Sequence, residues 1–273
     1  RAFVLYLQEK FNKSDLRLSI GRDSRLSGER LLSAAAEGVL SMGADIADFG
    51  LASTPSMFMS TVTKGYEYDG AIMLTASHLP WNRNGVKFFT REGGLEKNEI
   101  AAILARAQEN AFIPTVERGK RTAVDFLSVY AAGLVEKIRA GVSAEDYDHP
   151  LRGFHIVVDA GNGAGGFFAS EVLSPLGADT SGSQFLDPDG RFPNHVPNPE
   201  NETAMAAVTA CVLENKADMG VIFDTDVDRA GAVAADGREI NRNRLIALIA
   251  AVLLEEHPGT TVVTDSITSS GLA

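Results

Sequence analysis

Cysteine is nearly absent, with Cys211 the only one in 273 residues. A lone thiol leaves no internal disulfide and no thiolate metal site, and this sparing use of sulfur fits a reducing compartment. Cys211 lies in the apolar-rich segment 204–213, which puts it on the buried side of a helix rather than at a reactive position. Long apolar runs are missing as well. No stretch reaches the about 18 unbroken apolar residues of a membrane span, and the first residues lack the apolar core of a signal peptide, so a cytoplasmic protein is expected. Clusters of Lys and Arg are absent and the net charge is -11, which opposes binding to nucleic acid or to an anionic membrane. A small anion is still admissible where a few cations and a metal converge. The chain opens at Arg1 without a methionine and stops at Ala273, soon after the strand-like 261–264, as a fragment would.

What is present is length and alternation. At 273 residues, 45% hydrophobic and 22% charged, the chain is long enough for two globular cores. A helix is expected over 2–11 and a strand over 16–21, then a helix from an N-cap at Ser27 to Met42, stopped by Gly43. A weaker strand follows over 44–49, and a helix over 54–63 carries Pro55 in its first turn. Strands over 70–74 and 85–89 and helices over 96–111 and 124–140 complete a layered α/β unit. Apolar periodicity fades over 143–152, marking a boundary, and then restarts. The second series reads strand 154–159, glycine turn 161–166, short helix 167–173, long loop 187–201, helix 203–215, strands 219–223 and 230–234, and helix 241–256. The similar content of the two series hints at a structural repeat.

Two stretches carry chemistry. In Thr75-Ala76-Ser77-His78-Leu79-Pro80 a hydroxyl and an imidazole sit side by side where the apolar run 70–74 ends, and Pro80 forbids the strand to continue. Strand ends of this kind are where α/β sheets keep their active sites, although Thr, Ser and His also serve as ordinary turn residues. Asn84-Gly85 beyond it is a tight-turn pair, and Lys87 either reaches back toward Ser77 or is an exposed strand lysine. The second stretch is Asp224-Thr225-Asp226-Val227-Asp228-Arg229, directly after the strand 219–223. Three carboxylates packed together repel unless a hard cation compensates them, and compact oxygen ligands suit Mg2+. Arg229 suits a phosphate by its bidentate fork and would equally pair with an aspartate. The run also approaches the haloacid dehalogenase-like phosphatase motif, with Asp224 as nucleophile and Asp226 as acid, but Asp228 stands where that motif has Thr or Val and Ser77 is left idle. The glycines of Gly161-Asn162-Gly163-Ala164-Gly165-Gly166 satisfy a dinucleotide fingerprint, yet no second strand ends in an acidic residue at the right distance. Close strand–helix packing, or passage near a phosphate, fits them better.

Together these residues resemble the α-D-phosphohexomutase family over the whole chain. Thr75-Ala76-Ser77-His78 with Pro80 resembles its phosphoserine loop, Asn84-Gly85 with Lys87 the motif after it, and Gly21-Arg22-Asp23-Ser24-Arg25-Leu26-Ser27-Gly28 its first-domain segment. Asp159-Ala160-Gly161-Asn162-Gly163 resembles the turn opening its second domain, and Asp224, Asp226, Asp228 and Arg229 its metal loop. Departures are Leu79 for the usual Asn, Arg83 for an aromatic, and Thr225 and Val227 for glycines, the last two implying that these positions need no positive φ.

The resemblance implies an α/β fold of two consecutive layered α/β/α domains with mixed sheets, over 1–147 and 148–257, and the first strand of a third over 258–273. The first domain would lack its extreme N-terminal segment. The sugar-reading and phosphate-gripping loops of domains three and four would lie elsewhere, leaving a fragment inactive alone. It also implies a phosphosugar mutase that moves phosphate between O1 and O6 of a hexose phosphate, through a phosphate carried covalently on Ser77 and a sugar bisphosphate that also serves as activator. Ser77, Asp224, Asp226 and Asp228 would hold Mg2+, Arg229 would orient the phosphoryl group, and His78 and Lys87 would move protons. The alternatives are a Mg2+-dependent phosphatase using Asp224, or a non-catalytic binding module. The residues specify neither the sugar nor an oligomeric state.

Overall fold

Apolar strands between amphipathic helices assemble here into two sheets. In the computed structural model, which describes residues 1–263 apart from the side chain of Arg242, the first series is α1 (Ala2–Phe11), β1 (Arg17–Arg22), α2 (Gly28–Leu40), β2 (Asp45–Leu51), α3 (Thr54–Met59) and β3 (Gly70–Leu74). It continues through β4 (Val86–Thr90), β5 (Gly93–Gly94), α4 (Lys97–Glu109), β6 (Arg121–Ala123) and α5 (Phe126–Val142). The sheet order is β5-β4-β3-β1-β2-β6, with β3, β1, β2 and β6 parallel and β4 and β5 antiparallel at one edge. Every residue of β3 is buried because layers cover both faces of the sheet. On α2, Leu32, Ala36, Val39 and Leu40 recur at helical spacing and close one face over Leu18, Ile20 and Ile46. Burying each large side chain in this way contributes about 1.5–3 kcal/mol.

The second series is β7 (Ile156–Asp159), a π-helical turn Phe168–Leu173 running into a tighter turn Ser174–Leu176, α6 (Glu202–Asn215), β8 (Met219–Phe223), β9 (Ala230–Ala234) and α7 (Arg242–Glu256). Its sheet has three strands among the described residues, β7 and β8 parallel and β9 antiparallel, so it is not a copy of the six-stranded first sheet. The hint of a repeat therefore extends to layering alone. Gly220 lets α6 lie close on β8, since a Cβ there would come within 2.4 Å of Val212. Cys211 is buried on α6, where its thiol donates to the Gly182 carbonyl at 3.2 Å. Between the two sheets stands α5. Phe126 at its start is fully buried and stacks on Phe49 at 4.9 Å, while Ala131 and Val135 pack against Phe167, Val172 and Leu176 of the second series.

Several expected boundaries shift. The helix opened by Pro55 stops at Met59 rather than Thr63, and the one after Ser27 stops at Leu40. Ser27 does not cap it: the Ser27 hydroxyl donates to Asn84 Oδ1 at 2.6 Å instead. The strands β5 and β6 are unexpected from sequence, one too short for a pattern and the other fully exposed. Of the strand expected over 261–264, residues 261–263 form none, and the rest of the segment to 273 lies outside the described residues. No helix among the described residues is long and apolar enough to cross a membrane.

Candidate active site

Two strand ends meet at the site. β3 releases the chain into the loop 75–85 beside β1, where successive connections leave the sheet in opposite directions. β8 releases it into 224–229, and β9 then returns antiparallel. The tight turn in the first loop is made by Pro80 and Arg83, whose N–H donates to the Pro80 carbonyl at 2.9 Å, and not by Asn84-Gly85. Gly85 instead accepts from Thr75 N–H at 3.1 Å through its carbonyl.

A buried ion pair shapes that loop. Arg25 Nε donates to Asp23 Oδ2 at 3.0 Å, with both side chains 1% exposed. The remaining guanidinium nitrogens gather loop carbonyls, Nη2 from Ser77 at 2.5 Å and Leu79 at 2.8 Å and Nη1 from Pro80 at 2.6 Å. Asp23 Oδ2 also accepts from the Thr75 hydroxyl, which in turn accepts from Ser77 N–H at 2.9 Å. Burial pushes the Asp23 carboxyl above its usual range against the pull of Arg25 and Thr75. The second series braces the same arginine: the Phe192 ring lies 5.5 Å from the guanidinium, and Gly190 approaches so closely that a Cβ would meet Leu26 N at 2.5 Å.

Held in this way, Ser77 adopts φ 52, a left-handed conformation that costs about 1–3 kcal/mol and aims its carbonyl and its hydroxyl to different partners. Its hydroxyl donates to Asp224 Oδ2 at 3.1 Å and accepts from Arg229 Nη2 at 2.8 Å. The same Nη2 donates to Asp224 Oδ2 at 2.6 Å and to His78 Nδ1 at 2.8 Å, and Nη1 donates to Asn198 Oδ1 at 3.3 Å. An arginine only donates, so His78 receives this bond through an unprotonated Nδ1 and carries its proton on Nε2. Arg229 thus pairs with an aspartate and keeps the serine and histidine together. Lys87 does not reach Ser77 and is not a free strand lysine, because Nζ donates to Asp226 Oδ2 and Asp228 Oδ2, each at 2.7 Å.

The three aspartates form one cluster, with one oxygen of each lying within 4.8 Å of the others. Asp224 and Asp226 are fully buried, while Asp228 faces the opening. Burial, followed by the charges of Asp226 and Asp228, pushes the Asp224 carboxyl up to about 7 against Arg229. Burial works the same way on Asp226, but the charge and hydrogen bond of Lys87 and the bond from Thr54 outweigh it and hold that carboxyl below its usual value. Lys87 is raised in turn, the two aspartates overcoming its own burial. Asp226 Oδ1 is buried without a hydrogen-bond partner among the described residues, in an all-oxygen cluster whose donors fit a small hard dication.

The glycine turn serves this loop by packing. Gly163 passes so close to Thr225 that a Cβ would lie 2.7 Å from its carbonyl, and Ala164 N–H donates to that carbonyl at 2.8 Å. Val227 contradicts the expectation that its position needs no positive φ, since it adopts φ 63 at a real cost for a β-branched residue. The loop 187–201, plain connection in sequence, is anchored by the buried His195, whose Nε2 lies 3.0 Å from both Asp159 oxygens. Burial lowers the His195 pKa, but the bond and charge of Asp159 more than reverse this. Thr54, Asn198 and His195 carry no sequence signal, while Asp23, Arg25 and Thr75 lie in the stretches that carry the family resemblance but have no role of their own there.

Removing one member of the Asp23–Arg25 pair leaves the other charge buried and alone. Arg25→Met is expected to lower the unfolding free energy by about 3–5 kcal/mol in urea denaturation, and a loss below about 1 kcal/mol would contradict the clamp.

Residues 1–113 match the model of "Phosphoglucomutase/phosphomannomutase, alpha/beta/alpha domain I", and residues 129–237 match that of domain II. A phosphoglucomutase of Neisseria gonorrhoeae is 31% identical over 254 residues, covering 93% of this chain and 52% of the relative. A phosphomannomutase/phosphoglucomutase of Pseudomonas putida is 32% identical, over 91% of this chain and 50% of the relative. The crystal structure of a phosphoglucomutase/phosphomannomutase family protein from Burkholderia thailandensis superposes with a TM-score of 0.80 at 30% identity, covering 94% of this chain and 55% of that one. The chain thus spans about half the length of the curated relatives it matches. Matched in order by both domain models across the strands that carry Ser77 and the aspartates, the chain belongs to the α-D-phosphohexomutase family.

Proposed function

We propose that the full-length protein is a phosphosugar mutase that moves a phosphoryl group between O1 and O6 of a hexose phosphate, using Ser77 as the carrier. The observation that carries this reading is the Ser77 hydroxyl held at once by Asp224 Oδ2 and Arg229 Nη2, across the junction of the two sheets. In the first half-reaction a sugar hydroxyl oxygen bonds phosphorus as the bond from Ser77 Oγ to phosphorus breaks, and the proton the hydroxyl loses is balanced by the one Ser77 Oγ takes up, giving a sugar bisphosphate and a free serine hydroxyl. After reorientation, the other phosphate returns to Ser77. Arg229, whose Nη2 already binds Ser77 Oγ, follows the moving group and shares its charge. Lys87, held protonated by Asp226 and Asp228, acts as a local cation beside the aspartates. His78, bonded to Arg229 through Nδ1, orients that arginine.

Asp224, Asp226 and Asp228 are the residues that would hold Mg2+, beside the Ser77 phosphate. Bound there, the ion supplies positive charge against the transferring phosphoryl oxygens. The phosphatase reading fares worse. Asp224 is fully buried, and its oxygens already accept from Asp228 N–H, Arg229 N–H, the Arg229 guanidinium and the Ser77 hydroxyl. That reading also leaves Ser77, on which Asp224 and Arg229 converge, without a role.

In the full-length protein, Ser77→Ala is expected to cut conversion of hexose 1-phosphate to 6-phosphate by more than about 10³-fold in a coupled assay. Normal turnover, or phosphate release that survives this change and stops with Asp224→Asn, would favour the phosphatase. A pH dependence also follows. The Asp224 carboxyl, raised to about 7, keeps its proton below that pH, and a dication must displace it. Mg2+ affinity measured by calorimetry should therefore climb about tenfold per pH unit up to neutrality and level off above it. Affinity that stays flat across this range would contradict it.

A further inference from the structure

Thr54 touches the aspartate loop from the other sheet's side. It opens α3, where Ser53 already caps the helix by accepting from Ser56 N–H, so the Thr54 side chain is not needed for capping. Its hydroxyl instead donates to Asp226 Oδ2 at 2.5 Å, and its N–H donates to the Asp226 carbonyl at 2.8 Å. Lys87 Nζ donates to the same Oδ2 at 2.7 Å. Two donors therefore occupy Oδ2, while Oδ1 is buried with no hydrogen-bond partner among the described residues. Of the two, Lys87 sits on a flexible stem and has Asp228 as a second partner, whereas Thr54 is buried and fixed by its backbone bond.

We infer that Thr54 is a positioning residue that sets the cation selectivity of the site: by occupying Oδ2 it limits Asp226 to one oxygen, Oδ1, for a metal. This rests on reading the aspartate loop as a Mg2+ site. Mg2+ takes six ligands in strict octahedral geometry and uses a carboxylate through a single oxygen, while the larger Ca2+ accepts six to eight oxygens and readily takes both from one carboxylate. A carboxylate tied back by a buried hydroxyl keeps the coordination number low, which favours Mg2+. Valine has nearly the shape of threonine without the donor, and serine keeps the donor without the methyl.

The test is calorimetric titration of Mg2+ and of Ca2+ into the 273-residue chain and its Thr54→Val and Thr54→Ser variants. In Thr54→Val the ratio of Mg2+ to Ca2+ affinity is expected to fall about tenfold, the scale of one lost hydrogen bond to a charged group, with the ratio restored in Thr54→Ser. An unchanged ratio in Thr54→Val, or an equal fall in Thr54→Ser, overturns the inference and leaves the metal reading intact. Failure of the unsubstituted chain to bind either ion overturns both. If Thr54→Val does not fold, infrared carboxylate stretches of the Mg2+-loaded unsubstituted chain, compared with Asp226→Asn, decide instead. A single-oxygen signature for Asp226 supports the inference, and a two-oxygen signature overturns it.

Discussion

Mutual repulsion among three carboxylates is the constraint on which the rest of this structure depends. Asp224, Asp226 and Asp228 project from one strand end into a space where two of them are fully buried, and charges this close and this dry interact several times more strongly than in water. The second sheet supplies the problem and three elements of the first unit supply most of the answer. Lys87 comes from β4, Thr54 from the start of α3 and Ser77 from the end of β3. Only Arg229 is local, and it too spends a nitrogen on Ser77. Compensation is uneven: Lys87 holds the Asp226 carboxyl below its usual range, while burial and its neighbours push that of Asp224 up to about 7. A dication bound here would relieve a strain already present.

The same charge balance explains why the loop around Ser77 is so heavily restrained. A serine in a left-handed conformation is a local cost that surrounding contacts must offset. Arg25 does this by turning the carbonyls of Ser77, Leu79 and Pro80 toward its own buried guanidinium, and Phe192 and Gly190 of the second series close over it. The hydroxyl is left to face Asp224 and Arg229. Backbone and hydroxyl are thereby held separately, since one arginine gathers the loop carbonyls and another meets the Ser77 hydroxyl. The glycine turn and the His195–Asp159 pair perform the matching service on the other side, fixing the loops that bring Thr225 and Asn198 into place.

The layered α/β class, the strand 70–74 and the two loops were legible in sequence because they depend on short-range patterns: apolar runs, a proline stop and alternating carboxylates. Ser77 with the aspartates could be named, yet the partner of Lys87 could not. Whether a strand lysine meets solvent, a serine or an aspartate depends on which strand end faces it, and this is a property of the tertiary fold. Thr54 and Arg25 were hidden for the same reason, as one reads as a helix start and the other as part of a polar turn. The Ser27 cap failed because its backbone is already helical, at φ -79 and ψ -11, rather than extended as a capping residue requires, and its hydroxyl is turned to Asn84. Val227 shows the reverse failure, a residue type that argues against the conformation it is made to adopt. Both departures lie in or beside the site, where local rules are expected to yield to function.

The central claim is that Ser77 carries the phosphoryl group. Peptide mass spectrometry of the full-length protein, after incubation with Mg2+ and a hexose 1,6-bisphosphate, tests it most directly. The account predicts one phosphate, located on the peptide that contains Ser77. An unmodified Ser77, or a phosphate recovered on Asp224 instead, would contradict it.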